Sequence, residues 1–297
     1  MRRWVLLVLG LGVGVVRAGG QELPGAASEW VVRGEVKLHV KVMGAGPLVI
    51  LLHGFPDYWY TWRAQMPALA RRHRVVAVDL RGYNLSDQPE GVEKYAMTEL
   101  VADVLAIADH FKAERFVLVG HDWGGAIAWS TAIEHPDRVA RLIVLNLPHP
   151  RSLLRELKTN PAQQLASQYA VGFQREGAET MLSSRLLAAW VKDPEARRHY
   201  EAAFDRSSRS AQLAYYRANF PRPPFDALEV PELPPVKCPV LLIHGLADPA
   251  LLPGGLNDTW RWIDGELTLV TIPKAGHFVQ QDAAERVTEL MERWLDE

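Results

Sequence analysis

The 297-residue chain has a single cysteine, Cys238, which excludes an intramolecular disulfide and any cysteine-based metal spacing. A surplus of one charge is also missing, since 33 Lys and Arg stand against 35 Asp and Glu, for a net charge of -2. With no basic excess to neutralise phosphates, nucleic acid is not an expected partner. Beyond the first twenty residues no apolar run approaches the roughly 20 residues that a membrane-spanning helix needs. Internal repeats and low-complexity tracts are absent as well. Cys238, standing just before a strand-like run, is expected to be a buried small hydrophobe.

What is present is enough apolar material for a full core: 48% of residues are hydrophobic, as in one enzyme-sized domain with an insertion. The N-terminus is a separate matter. Arg2 and Arg3 precede the apolar run WVLLVLGLGVGVV and the small-residue exit Arg17-Ala18-Gly19, the pattern of a secretory signal over residues 1–18. The expectation is cleavage near Ala18 and export to the periplasm or medium. The alternatives are an uncleaved amphipathic anchor or a start placed too far upstream, and without a working signal the protein would be cytoplasmic. The paired arginines match a twin-arginine signal too loosely to choose a route.

Along the rest of the chain, apolar strands alternate with helical patterns. EWVVRGEVKLHVKVMG reads as a hairpin; LVILL (48–52), VVAVD (75–79), RFVLVG (115–120), RLIVLN (141–146), VLLIHG (240–245) and TLVTIP (268–273) read as buried strands. Helices are expected at 97–111, opened by Thr98, after the turn at 122, and from about Gln280 to Leu295. This order predicts an α/β fold, with a mostly parallel eight-stranded sheet covered by helices on both faces. The alternation stops between Pro148 and Val240, where helical patterns end in the proline-dense PRPPFDALEVPELPP. Residues 149–235 are therefore expected to form a helical cap inserted into a core of 25–148 and 236–297.

The stretch VGHDWGG carries the chemistry. A strand running straight into a helix through a glycine-flanked turn exposes the residue at its apex, here Asp122, and aims the free N–H groups of the helix at it. Serine in that place would serve acyl transfer. Against a saturated carbon it would form an ether that water does not readily cleave, whereas a carboxylate forms an ester whose carbonyl belongs to the aspartate and can be hydrolysed. Asp122 thus points to displacement at sp³ carbon followed by hydrolysis. The second step needs a base, a partner for it and oxyanion donors. Asp248 and His277 follow in the order acid then histidine, each after a strand, where open α/β sheets build their sites. The backbone N–H groups of Phe55 and Trp123 are the candidate oxyanion donors.

In HGFPDYWYTWRAQ, DLRGYNLSD, GHDWGG, NLPHP, GLADP and GHF, in this order, the chain resembles the α/β-hydrolase fold family, and within it the epoxide hydrolases. The resemblance covers nearly everything after the N-terminal stretch. It implies hydrolysis of a small apolar epoxide to a vicinal diol by water, without cofactor or metal. It also implies two cap tyrosines that protonate the ring oxygen, since an opening epoxide leaves as a strongly basic alkoxide. Tyr169 in SQYAVGFQREG and Tyr216 in LAYYRANF match the family contexts; Ala218 interrupts the usual Tyr-Arg-Asn, so Tyr215 is an alternative to Tyr216. His53, Pro56 and His121 flank the site as supporting residues. A histidine metal cluster lacks the carboxylate or cysteine to complete it. The competing readings are a haloalkane or haloacid dehalogenase on the same scaffold and a non-catalytic small-ligand sensor.

Overall fold

The computed structural model describes residues 23–297, so the expected signal at 1–18 lies outside the described residues. Eight strands form one sheet: β1 (Ala27–Arg33), β2 (Val36–Met43), β3 (Leu48–Leu52), β4 (Arg74–Val78), β5 (Phe116–His121), β6 (Val139–Leu145), β7 (Val240–Gly245) and β8 (Leu267–Ile272). Their spatial order is β1-β2-β4-β3-β5-β6-β7-β8. β2 pairs antiparallel with both neighbours, and every pairing from β4 to β8 is parallel. Every residue of β3, β5 and β7 is buried. That explains their unbroken apolar runs, because a parallel strand covered on both faces has no solvent side to alternate with.

Eleven α-helical segments are described: α1 (Met66–Leu69), α2 (Met97–His110), α3 (Trp123–Glu134), α4 (Pro150–Thr159), α5 (Pro161–Ala166), α6 (Gln168–Phe173), α7 (Ser184–Leu187), α8 (Pro194–Arg206), α9 (Arg209–Asn219), α10 (Val279–Asp282) and α11 (Ala284–Asp296). The segments α4 to α9 all fall between β6 and β7. α2 buries Leu100, Val104, Ile107 and Ala108 on one stripe, and α11 buries Val287, Met291 and Trp294 at helical spacing. α3 is buried on nearly all sides, as befits a helix that runs beneath the site.

Two helix expectations change. α2 begins at Met97 straight out of a 3-10 turn at Val92–Tyr95, and Ala96, which has no capping side chain, occupies the position before it; Thr98 lies inside the helix and does not open it. The C-terminal helix is split at Ala283 (φ -131°, ψ 44°). Asp282, the last residue of α10, turns its carboxylate back to Gly276 N–H instead of facing along a continuous helix.

A buried ion pair joins the loop after β4 to α2, and a backbone contact of the same arginine reaches on to α9. Arg81 forks onto Asp103 with two bonds of 2.6 Å, while its own carbonyl accepts the Tyr215 hydroxyl at 2.8 Å. Cys238 is buried, and burial pushes its thiol up to about 11. Among the described residues no helix is long and apolar enough to cross a membrane, and no three His, Cys, Asp or Glu side chains cluster as metal ligands.

Candidate active site

The strand order places the site. β3 and β5 are spatial neighbours although β4 lies between them in the chain, so the turns after β3 and β5 open side by side at their carboxyl ends, where α/β sheets bind ligands. The turn after β5 is sharp. Asp122 adopts φ 51° and ψ -120°, a conformation that costs a non-glycine residue about 1–3 kcal/mol and is retained where the surroundings enforce it. The flanks must be glycine: a Cβ on Gly120 would lie 2.2 Å from Gly124 O, and one on Gly124 would lie 2.3 Å from Leu52 O. The following α3 starts at Trp123 with no side-chain cap, leaving its N-terminal end directed at the elbow.

The two oxygens of Asp122 have different partners. Oδ1 accepts the Phe55 N–H at 2.8 Å, and Oδ2 lies 3.5 Å from His277 Nε2. Burial opposes the charge on Asp122, but the His277 hydrogen bond and charge, with the Phe55 N–H, outweigh it and hold the carboxyl below its ordinary range. Phe55 belongs to the turn after β3, in which the Phe55–Pro56 peptide is cis.

His277 donates from Nδ1 to Asp248 Oδ2 at 2.8 Å. Asp248 accepts also from Asn146 Nδ2 at 2.7 Å, and its Oδ1 takes the Ala250 and Leu251 N–H groups at 2.8 and 3.1 Å. The same carboxylate therefore caps the following turn and orients the imidazole. Burial works against its charge, yet His277 and Asn146 keep it well below the carboxylate range. For His277 burial again disfavours the charge, and the Asp248 charge followed by the Asp122 contact overcomes it, lifting the imidazole to about 10. At neutral pH the site is an Asp122 carboxylate facing an imidazolium.

Asn146 is a site residue that sequence reasoning passed over. It sits at φ 41° directly after β6. Its Nδ2 donates to Asp248 and, at 3.2 Å, to Gly276 O, while its Oδ1 accepts Gly245 N–H at 3.0 Å. It thus knots its own loop to the two that carry the acid and the histidine. The signal was an asparagine at a strand's carboxyl end inside NLPHP, where αL tolerance and side-chain hydrogen bonding favour this residue.

His53 and His121 are buried and neutral. Burial lowers them to about 4 and about 3 respectively, the nearby His277 adding to the second. His53 donates from Nδ1 to Gly54 O and accepts Leu80 N–H at Nε2, so neither nitrogen is left for a metal. His121 Nε2 donates to His277 O at 2.8 Å, fixing the backbone under the His277 ring.

The insertion between β6 and β7 faces the elbow across a cavity of about 190 Å³. Asp122, Trp123, Tyr169 and Tyr216 line one end, and Leu153, Leu154, Leu157 and Phe220 belong to its apolar wall. The Tyr216 ring stands edge-on to Trp123, centroids 5.0 Å apart, and to Tyr169, centroids 6.1 Å apart. Burial, then the Asp122 charge among others, raises both phenols above their ordinary value, so they stay protonated. Tyr169 is also part-exposed, at 38%, and sits where the cavity reaches the surface. Tyr215 faces away: its hydroxyl is bound to Arg81 O and its ring packs on Tyr83 and Tyr95.

The chain is similar to known proteins over most of its length. The family model for the alpha/beta hydrolase fold matches residues 47–284. Epoxide hydrolase 1 of Caenorhabditis elegans is 32% identical over 295 residues, covering 92% of this chain and 71% of that protein. Human epoxide hydrolase 4 is 33% identical over 269 residues, covering 84% and 73%. The crystal structure of the Bacillus megaterium epoxide hydrolase in complex with an inhibitor superposes with a TM-score of 0.85 at 31% identity, over 91% of this chain and 100% of that one. With a carboxylate at the elbow, its partners in place and this likeness over nearly the whole described chain, the protein belongs to the α/β-hydrolase fold family, among its epoxide hydrolases.

Proposed function

We propose that this protein hydrolyses a small apolar epoxide to a vicinal diol through a covalent ester on Asp122. Oδ2 attacks a ring carbon while the carbon–oxygen bond of the ring breaks, and the departing oxygen takes a proton from Tyr169 or Tyr216. Once Asp122 is an ester its charge is gone, so the His277 proton is no longer held by it and passes to the tyrosinate. Neutral His277 then takes a proton from water, whose oxygen attacks the Asp122 carbonyl carbon. Negative charge collects on Oδ1, where the Phe55 N–H already sits at 2.8 Å and the Trp123 N–H is the second donor. Collapse expels the diol with Oδ2, the new acid's proton goes to the leaving alkoxide, and the Asp122–His277 ion pair is restored.

The observation that carries this reading is the division of labour within one carboxylate: Oδ1 is docked on a backbone donor and Oδ2 faces the base. Two protonated phenols beside it suit an alkoxide leaving group, which halide departure does not need. A cavity of about 190 Å³, against the 150 Å³ or so that admits benzene, suits a single-ring or short-chain epoxide. The test is diol formation from styrene oxide run beside halide release from a chloroalkane of similar size. A His277→Gln variant should accumulate the ester as added mass on the peptide containing Asp122. Halide release without diol would favour a dehalogenase, and saturable binding with no product a ligand sensor.

Residues 149–235 act as a cap over a core of 25–148 and 236–297, since the tyrosines that finish the site come from this insertion. Export rests on the residues 1–18 pattern alone, and a mature N-terminus found near Gly19 by mass spectrometry is the expected result.

A further inference from the structure

The loop that carries His277 is gripped from above by a short piece of the insertion. Between α7 and α8 the chain passes through Trp190 and Lys192, and both reach the stretch that follows the histidine. Trp190 stacks flat on Phe278, with ring centroids 3.4 Å apart and planes 5° from parallel. Lys192 Nζ pairs with Asp282 Oδ1 at 2.6 Å, and Asp282 Oδ2 accepts Gly276 N–H at 2.9 Å. From below, the core fixes the same loop through Asn146 on Gly276 O and His121 on His277 O. The Phe278 ring in turn lies edge-on to His277, centroids 5.1 Å apart, and tilted against His121 at 5.5 Å. The imidazole is therefore bounded on one side by a ring whose outer face is covered by Trp190.

We propose that the Trp190–Lys192 segment is a clamp that sets the position of His277 for ester hydrolysis, with Trp190 as the positioning residue. The proposal rests on the covalent reading above. The Trp190 indole N–H is buried with no hydrogen-bond partner among the described residues, so the parallel stack and the Tyr200 ring 5.2 Å away hold this side chain, and no polar anchor does. Lys192 is 83% exposed in its ion pair, where solvent screening leaves little net effect; Trp190 carries the clamp. The groups used to form the ester lie elsewhere: Tyr169 on α6, Tyr216 on α9, and Asp122 held by its own strand-to-helix turn. A loosened clamp should therefore slow the second step and spare the first.

The experiment is rapid-quench kinetics of Trp190→Ala with styrene oxide, following ester on the Asp122 peptide by mass and diol by chromatography. Ester should form within about twofold of the wild-type rate, and its hydrolysis should slow about ten- to a hundredfold, the effect of misplacing a catalytic group by about 1 Å. Ester then accumulates in the steady state. Trp190→Phe, which keeps a flat ring on Phe278, should restore hydrolysis, and Lys192→Ala should change it by less than about threefold. Should Trp190→Ala not fold, Trp190→Leu, which keeps apolar bulk without a stack, must show the same split. Hydrolysis at the wild-type rate, or both steps falling by one common factor, overturns the clamp. Ester trapped in His277→Gln while Trp190→Ala behaves as wild type removes the clamp alone; no ester in either, with turnover intact in the wild type, removes the covalent reading and the clamp with it.

Discussion

Esterification of Asp122 should itself switch His277 from acid to base, and the size of the switch follows from one distance. In the resting protein His277 Nε2 lies 3.5 Å from Asp122 Oδ2, the two side chains being 13% and 8% exposed. At an effective dielectric of about 20, unit charges so placed attract by about 5 kcal/mol, or between three and four pH units. Forming the ester deletes that attraction and leaves only Asp248 to support the imidazolium. The imidazole, lifted to about 10 in the free protein, should then titrate near 7. Ester formation needs only an ionised Asp122 and protonated phenols, and the first is held below its ordinary pKa and the second above theirs. Its single-turnover rate should be level from about pH 5 to pH 9. Ester decay, measured by rapid quench after formation at one pH and a jump to another, should rise with pH along one titration near 7 and level off above it. A decay rate that is flat from pH 5 to pH 9, or that rises only near pH 10, would refute the reasoning.

Replacing Tyr216 or Tyr169 with Phe should slow ester formation about a hundredfold or more, as expected for loss of a general acid, while leaving ester decay within a few-fold; stopped-time mass analysis separates the two. Tyr215→Phe should do neither, and should instead lower stability by about 1 kcal/mol through the lost bond to Arg81 O, read by urea denaturation. Asn146→Ala strips a charge-assisted bond from Asp248 and orphans the buried Gly245 N–H, for about 3 kcal/mol of stability together with slowed ester decay.

The sheet and the elbow were legible because each is enforced by local constraint. Strands buried on both faces must be continuously apolar, and backbone approaches of 2.2 and 2.3 Å to an added Cβ leave Gly120 and Gly124 no substitute, so these segments spell out their structure in residues. Which of two adjacent tyrosines lines the cavity was not legible. Tyr215 and Tyr216 are neighbours on α9, about 100° apart around the helix, and which one meets the cavity depends on how α9 lies over the core, which no local pattern encodes. The break at Ala283 had no glycine or proline to mark it, and Asp282 beside it bonds back to the Gly276 N–H. Asn146 and Trp190 escaped for a related reason. Each acts by holding a loop distant in the chain, Gly276 in one case and Phe278 in the other, and a residue whose work is at long range looks locally like an ordinary turn or packing residue.

If the ester on Asp122 forms and is hydrolysed at its carbonyl, a carboxyl oxygen of Asp122 ends up in the product. One turnover of excess protein with styrene oxide in ¹⁸O-water reads this directly: the diol should carry unlabelled oxygen from the protein, and the peptide containing Asp122 should gain the label. Label found in the first-turnover diol, with the Asp122 peptide unlabelled, would mean that water attacks the epoxide itself and would contradict the account.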